Sequence, residues 1–206
     1  MFMKLILASQ SPRRRDILKN ARIPFEVVAT NLSEVFAKNL TLDQQIMELA
    51  ERKARACQTH LGPNASDILI LGADTVVVCE ERVLGKPSSP DEAKHFLRLL
   101  SGRVHSVKTG ICFLHCFSSS EASPSLPVSE KLIAEIDTTF VYFKRLNEKE
   151  IQKYVDSGEP FDKAGGYGIQ GGAAAFIEKI EGSYHNVVGL PIERVQRILT
   201  EQNWKL

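Results

Sequence analysis

Short apolar blocks alternate with amphipathic stretches along this chain, and the alternation sets the expected fold class. Lys4 to Ala8 is an apolar run of strand length. It leads straight into SPRRRDILKNA, which reads as a helix with Ser11 as N-cap and Pro12 at its first position. A second strand is expected at roughly Phe25 to Ala29, after the Ile23-Pro24 turn. Thr41 and Gln44 make a capping-box pattern before a helix whose apolar positions Leu42, Ile46, Leu49, Ala50, Ala54 and Cys57 keep helical spacing. Asp67 to Cys79 predicts a long apolar strand, and Glu80-Glu81-Arg82 turns the chain into Val83-Leu84. Ser89, Pro90 and Glu92 open the next helix, which Gly102 closes.

Val104 to Phe117 and Lys131 to Phe143 are long and β-biased. The polar, proline-broken SSSEASPSLPVSE between them reads as a loop joining two antiparallel strands. Asn147 and Glu150 start a short helix that ends near Gly158. The glycine-rich AGGYGIQGG then leads to a strand, AAAFIEKI, and a last helix runs from Pro191 to about Gln202. No internal repeat interrupts the series. The expectation is an α/β fold with a mixed twisted sheet and flanking helices, forming a single domain over residues 1–206.

Composition narrows the function classes. Among 206 residues, 26 lysines and arginines face 25 acidic residues, a net charge of +1. That balance argues against a nucleic-acid binder, which carries a basic surplus. The three clustered arginines at 13–15 lack the interleaved aromatics of a single-strand RNA platform. No membrane partner is expected either, because apolar runs such as Ile68 to Val78 are too short to span a bilayer and are broken by Gly72 and Asp74. The N-terminal arginines follow the apolar stretch, whereas a signal peptide would carry its charge ahead of it. Cys57, Cys79, Cys112 and Cys116 show no framework spacing and read as reduced core thiols of a cytoplasmic protein. Strand alternation sends Cys112 and Cys116 to one face and His115 to the other, which disfavours a zinc site there.

Three patches carry chemistry beyond packing. Ser9-Gln10-Ser11-Pro12-Arg13-Arg14-Arg15 lies on a strand-to-helix turn, where free N–H groups, hydroxyls and guanidiniums would favour an anion; the alternative is a capped helix with solvated arginines. It is not a P-loop, since no G-x-x-x-x-G-K-[ST] occurs. Asp74, in Gly72-Ala73-Asp74-Thr75, sits among apolar residues where a carboxylate needs a cation, a metal or a strong donor. Either it stands at a strand break facing a cleft, or it is a structural ion-pair partner, with Lys86 of Gly85-Lys86-Pro87 as a candidate. Asp162 to Gly172 is the third patch. Its glycines would let backbone approach a ligand and its Tyr167 ring and Gln170 amide could contact a base; the alternative is a plain turn.

Together, LASQSPRR, NLSE, AERKA, GADTVV, LGKP, LSGRVHSVKTG, DKAGGYGIQG and SYHNVVGLP, in this order along nearly the whole chain, resemble the Maf family of nucleoside triphosphate pyrophosphatases. Each motif alone is unspecific, but the ordered set is not. The resemblance implies two lobes around a deep cleft, in a fold related to inosine triphosphatases. It implies hydrolysis of a nucleoside triphosphate to the monophosphate and pyrophosphate, with a divalent cation, magnesium or manganese. Asp74 matches the family's catalytic proton acceptor. Ser9, Arg13, Arg14, Lys53 and Lys86 match its substrate-binding residues. Glu34 matches an acid that helps Asp74 hold the metal, although the stretch before it departs from the commoner family pattern. Arg13, Thr75 and Gln170 resemble the set of the dTTP and UTP subgroup, and the 7-methyl-GTP subgroup differs at all three. The resemblance also admits a homodimer, and a nucleotide-binding regulator of septum formation with little catalysis.

Overall fold

Strands and helices alternate among the residues that the computed structural model describes, 3–29, 32, 39–62, 67–117 and 129–206. β1 (Lys4–Ala8) leads into α1 (Pro12–Asn20), β2 (Glu26–Val27), α2 (Leu42–Leu61), β3 (Ile68–Cys79) and β4 (Arg82–Leu84). Then come α3 (Pro90–Leu100), β5 (Val104–Phe117), β6 (Ser129–Phe143) and α4 (Glu148–Asp156). β7 (Ile177–Glu181), α5 (Tyr184–Val188) and α6 (Ile192–Glu201) complete the order. The sheet runs β2-β1-β3-β5-β6-β7, with β4 beside β3. It is mixed: β1 is parallel to β2 and β3, whereas β4 is antiparallel to β3 and β7 to β6. The α/β class and mixed sheet expected from the sequence are those observed.

The helix starts follow from their caps. Ser11 and Ser89 hydroxyls accept from the backbone N–H of Arg14 and Glu92. Thr41 with Gln44, and Asn147 with Glu150, form complete capping boxes. Each such cap is worth about 1 kcal/mol of helix stability.

Four expectations change. β2 is two residues long, shorter than Phe25 to Ala29. The apolar run at 173–176 belongs to a 3-10 turn, Gly172–Phe176, and the strand begins only at Ile177, because the glycines before it place the chain in a tight turn. A five-residue helix, α5, forms where none was expected; Ser183 caps it by accepting from Asn186 N–H. The strand break, one of the two alternatives for Asp74, is absent: β3 passes through Gly72-Ala73-Asp74 without interruption. The loop expected from Ser118 to Glu130 lies outside the described residues up to position 128, and Glu34 lies outside them too.

The chain divides into two compact units. One comprises the described residues of 1–74, 110–136 and 192–206; the other comprises Thr75–Thr109 and Asp137–Pro191. In the first, α2 turns Ile46, Leu49, Ala50, Ala54 and Cys57 inward. Ala50, Ala54 and Cys57 pack with Ile6, Ala8, Ile70, Cys112, Leu114 and Cys116. All four cysteines of the chain are free and buried, and burial pushes the Cys57 thiol up to about 11 and the Cys112 thiol up to about 12. Phe113 and His115 meet Trp204 on the other face of β5, so alternation does separate His115 from Cys112 and Cys116. In the second unit, Phe96, Leu97 and Leu100 of α3 pack with Ile151, Tyr154 and Val155 of α4 and with Val107, Phe143, Tyr167 and Phe176.

Two glycines set how closely α2 can lie on the strands. A Cβ at Gly72 would stand 2.1 Å from the Ala50 carbonyl oxygen, and one at Gly110 2.8 Å from that of Ile46. Both obstacles are helix backbone, which cannot rotate aside. Replacing Gly72 by alanine should therefore cost about 3 kcal/mol or more through forced displacement of α2. Gly85→Ala, with nothing among the described residues within 4 Å of the added methyl, should change the unfolding midpoint little. Chemical denaturation of the two variants checks the contrast.

Candidate functional site

Three elements of the first unit meet around the end of its part of β3. The turn after β1 supplies Ser9, whose Oγ accepts from Ser11 N–H (3.2 Å) and from Arg14 Nη1 (3.1 Å). The same Nη1 donates to the Ala73 carbonyl oxygen at 2.9 Å. Arg14 is therefore a buried brace between the turn and the residue preceding Asp74, and not a solvated helix-surface arginine. Its planar fork suits this, since one guanidinium reaches a hydroxyl and a carbonyl together. Arg13, its neighbour, is partly exposed.

α2 supplies Lys53. Its Nζ lies 2.5 Å from Asp74 Oδ1, and the two side chains keep only 14% and 7% of their exposure. The register explains the meeting. Gly72 faces α2 at Ala50 and Ala54, and Asp74, two residues on, points to the same side of the strand. The ion-pair alternative for Asp74 thus holds, with Lys53 as the partner in place of Lys86. Desolvating two such charges costs several kcal/mol each, which their attraction does no more than offset. A pair this buried contributes little net stability as a structural device.

The second unit contains Thr75, Lys86 and Gln170. The Thr75 hydroxyl is 3.0 Å from the Thr109 hydroxyl and 3.3 Å from the Gly189 carbonyl oxygen. Thr109 continues to the Asn186 carbonyl, and Asn186 Nδ2 donates to Val107 O and Thr139 Oγ1, both at 3.0 Å. Sequence reasoning gave no role to Thr109, Thr139 or Asn186, all wholly buried. For Thr109 and Asn186 the signal was present in KTG and SYHNVVGLP, whose polar residues sit in otherwise apolar surroundings.

Lys86 and Gln170 are exposed. The segment bearing Lys86 is tied to the glycine-rich loop by Gly165 N–H donating to Gly85 O at 2.9 Å. Tyr167 is not available to a base, contrary to expectation: it is 5% exposed and packs edge-on against His105 and Phe143. Its hydroxyl is 2.6 Å from His105 Nε2. Burial pulls His105 down to about 4, so the ring is neutral at physiological pH.

Among the described residues no group of three or more His, Cys, Asp or Glu gathers as a metal cage. That does not conflict with a magnesium-type ion, which takes one or two carboxylates and completes its shell with substrate phosphates and water. Asp74 offers a fitting oxygen donor; Glu34 lies outside the described residues.

Lys53→Met should lower stability by about 3 kcal/mol, because it leaves a buried carboxylate uncompensated. Adding Asp74→Asn should recover more than half of that loss, measured by denaturation as a double-mutant cycle. His105 supplies a pH prediction. It takes up its proton near 4 when folded but near the ordinary 6.5 when unfolded, so the unfolded state binds more protons between those values. Stability should then fall as pH drops through that window, by up to about 3 kcal/mol more for the wild type than for His105→Phe.

Comparison with known proteins places the chain. The family described as Maf-like protein matches residues 4–202. The chain is 44% identical over 198 residues to a dTTP/UTP pyrophosphatase of Bacillus cereus, covering 96% of this chain and 95% of that one. It is 42% identical to the Bdellovibrio bacteriovorus protein of the same name, over 96% and 97% of the two chains. Among solved structures it resembles the Staphylococcus aureus Ham1 protein, with TM-score 0.46 and 13% identity over 97% of this chain and 99% of that one. By the near-complete match of its sequence, the chain belongs to the Maf family.

Proposed function

We propose that this protein is a nucleoside triphosphate pyrophosphatase that hydrolyses dTTP and UTP to the monophosphate and pyrophosphate. The buried Lys53–Asp74 pair carries this reading, in a chain whose near-full-length relatives bear the name dTTP/UTP pyrophosphatase. The four free, buried cysteines support a reducing, cytoplasmic setting.

The reaction must neutralise a polyphosphate, bring a water in line with phosphorus and stabilise departing pyrophosphate. Asp74 is assigned the water: its carboxylate orients the molecule and accepts its proton as the new phosphorus–oxygen bond forms and the bond to pyrophosphate breaks. Lys53, 2.5 Å away, fixes that carboxylate and adds positive charge beside the reacting centre. Ser9 and Arg13 are assigned phosphate contacts. Arg14 contributes charge while bracing the turn against Ala73 O, and Lys86 is assigned a further phosphate contact. A magnesium or manganese ion, held by Asp74 together with Glu34, would neutralise phosphate charge and activate water. Arg13, Thr75 and Gln170 are assigned pyrimidine preference. The exposed Gln170 amide offers a donor and an acceptor to the imide edge of uracil or thymine, whereas the Thr75 hydroxyl, engaged with Thr109 and Gly189, acts through backbone placement.

Asp74→Asn should abolish pyrophosphate release, a loss of about 1000-fold or more, with the fold intact by circular dichroism. Release near the wild-type rate would overturn the assignment. Gln170→Glu should erode the preference for UTP and dTTP over 7-methyl-GTP, since a carboxylate lacks the amide's donor. An unchanged preference would remove Gln170 from base reading.

A further inference from the structure

His105 has no evident reason to be a histidine if it serves only to fill space. It is 3% exposed, lies 5.0 Å from Phe143 and 5.3 Å from Tyr167 between ring centroids, and sits beside an apolar cluster that a phenylalanine would suit. Among the described residues its buried Nδ1 has no hydrogen-bond partner. An orphaned polar atom of this kind costs about 1–3 kcal/mol, and an apolar ring would avoid that cost. What the imidazole adds is one directional contact, the 2.6 Å hydrogen bond to the Tyr167 hydroxyl.

Tyr167 stands three residues before Gln170. The backbone anchors of this loop flank residues 167–170. Gly165 and Gly166 N–H donate to Gly85 O and Lys163 O on one side. On the other, Gly172 N–H donates to the Glu159 carboxylate. Three glycines at positive φ, 165, 166 and 171, give the loop no stiffness of its own. Packing of the Tyr167 ring against Phe143 restrains the segment through non-directional contact. A hydrogen bond at the far end of the ring adds a directional tie.

We propose that His105 is a positioning residue: its hydrogen bond to Tyr167 fixes segment 167–170 and so sets how Gln170 is presented to a pyrimidine base. The base-reading half rests on the function proposed above, and the clamping half does not.

Tyr167→Phe is the test, since it keeps the ring and removes the hydroxyl; His105→Phe is the reciprocal variant should either fold poorly. Hydrogen exchange of residues 163–172 should accelerate in Tyr167→Phe, with the rest of the second unit unchanged. Its KM for UTP and dTTP should rise about fivefold with kcat within about twofold, and its preference over 7-methyl-GTP should fall by a similar factor. Exchange at the wild-type rate would overturn the clamp. Faster exchange with unchanged KM and preference would overturn its link to base reading. Exchange needs no turnover, so a wild-type enzyme silent on every nucleotide would overturn the proposed substrate while the clamp is still decided.

Discussion

The closeness of α2 to β3 at Gly72 is the constraint on which the candidate site depends. With a methyl group there, the helix backbone at Ala50 would have to retreat. Lys53 rides on the next turn, and Asp74 lies two residues further along the strand on the same face. The 2.5 Å contact between them is thus fixed by the absence of a side chain elsewhere. Gly110 repeats the device under Ile46, so the helix is seated at two places, and its buried face of small and branched residues fills what remains.

The same unit holds its charges by unusually direct means. Arg14 spends one nitrogen on Ser9 and on the backbone of Ala73, which couples the turn after β1 to the residue beside the carboxylate. The second unit keeps its buried polar residues neutral instead: Thr75, Thr109, Asn186 and Thr139 are linked by hydroxyls, amides and carbonyls, and His105 is held uncharged by burial. A net charge of +1 over 206 residues conceals this contrast. Buried charge gathers at Arg14 and Asp74, and buried neutral hydrogen bonding around Thr109, Thr139 and Asn186.

Much of the fold was legible because local signals and tertiary packing agree. The caps at Ser11, Thr41, Ser89 and Asn147 and the helical spacing of α2 specify elements that burial then reinforces. The site was legible in composition but not in pairing. Asp74 declared itself by standing in an apolar run; its partner did not, because Lys53 is 21 residues away in sequence and is brought near only by helix placement. Lys86 was the nearer choice in sequence and the wrong one. The glycine-rich loop misled in the opposite direction. Tyr167 reads as a ligand contact by composition, yet its ring is buried against His105 and Phe143. Alanine-rich 173–176 read as strand because apolar runs do not distinguish an extended segment from a tight turn between glycines.

The Lys53–Asp74 centre is assigned the cleavage of a pyrimidine nucleoside triphosphate between its α- and β-phosphates. Parallel quantitation of pyrophosphate and orthophosphate tests this assignment, using the purified protein with magnesium or manganese and UTP, dTTP, CTP, ATP, GTP and 7-methyl-GTP in turn. Pyrophosphate with an equal amount of monophosphate, fastest from UTP and dTTP, and no orthophosphate is the expected result. Orthophosphate as the first product, or no product from either UTP or dTTP, would contradict it.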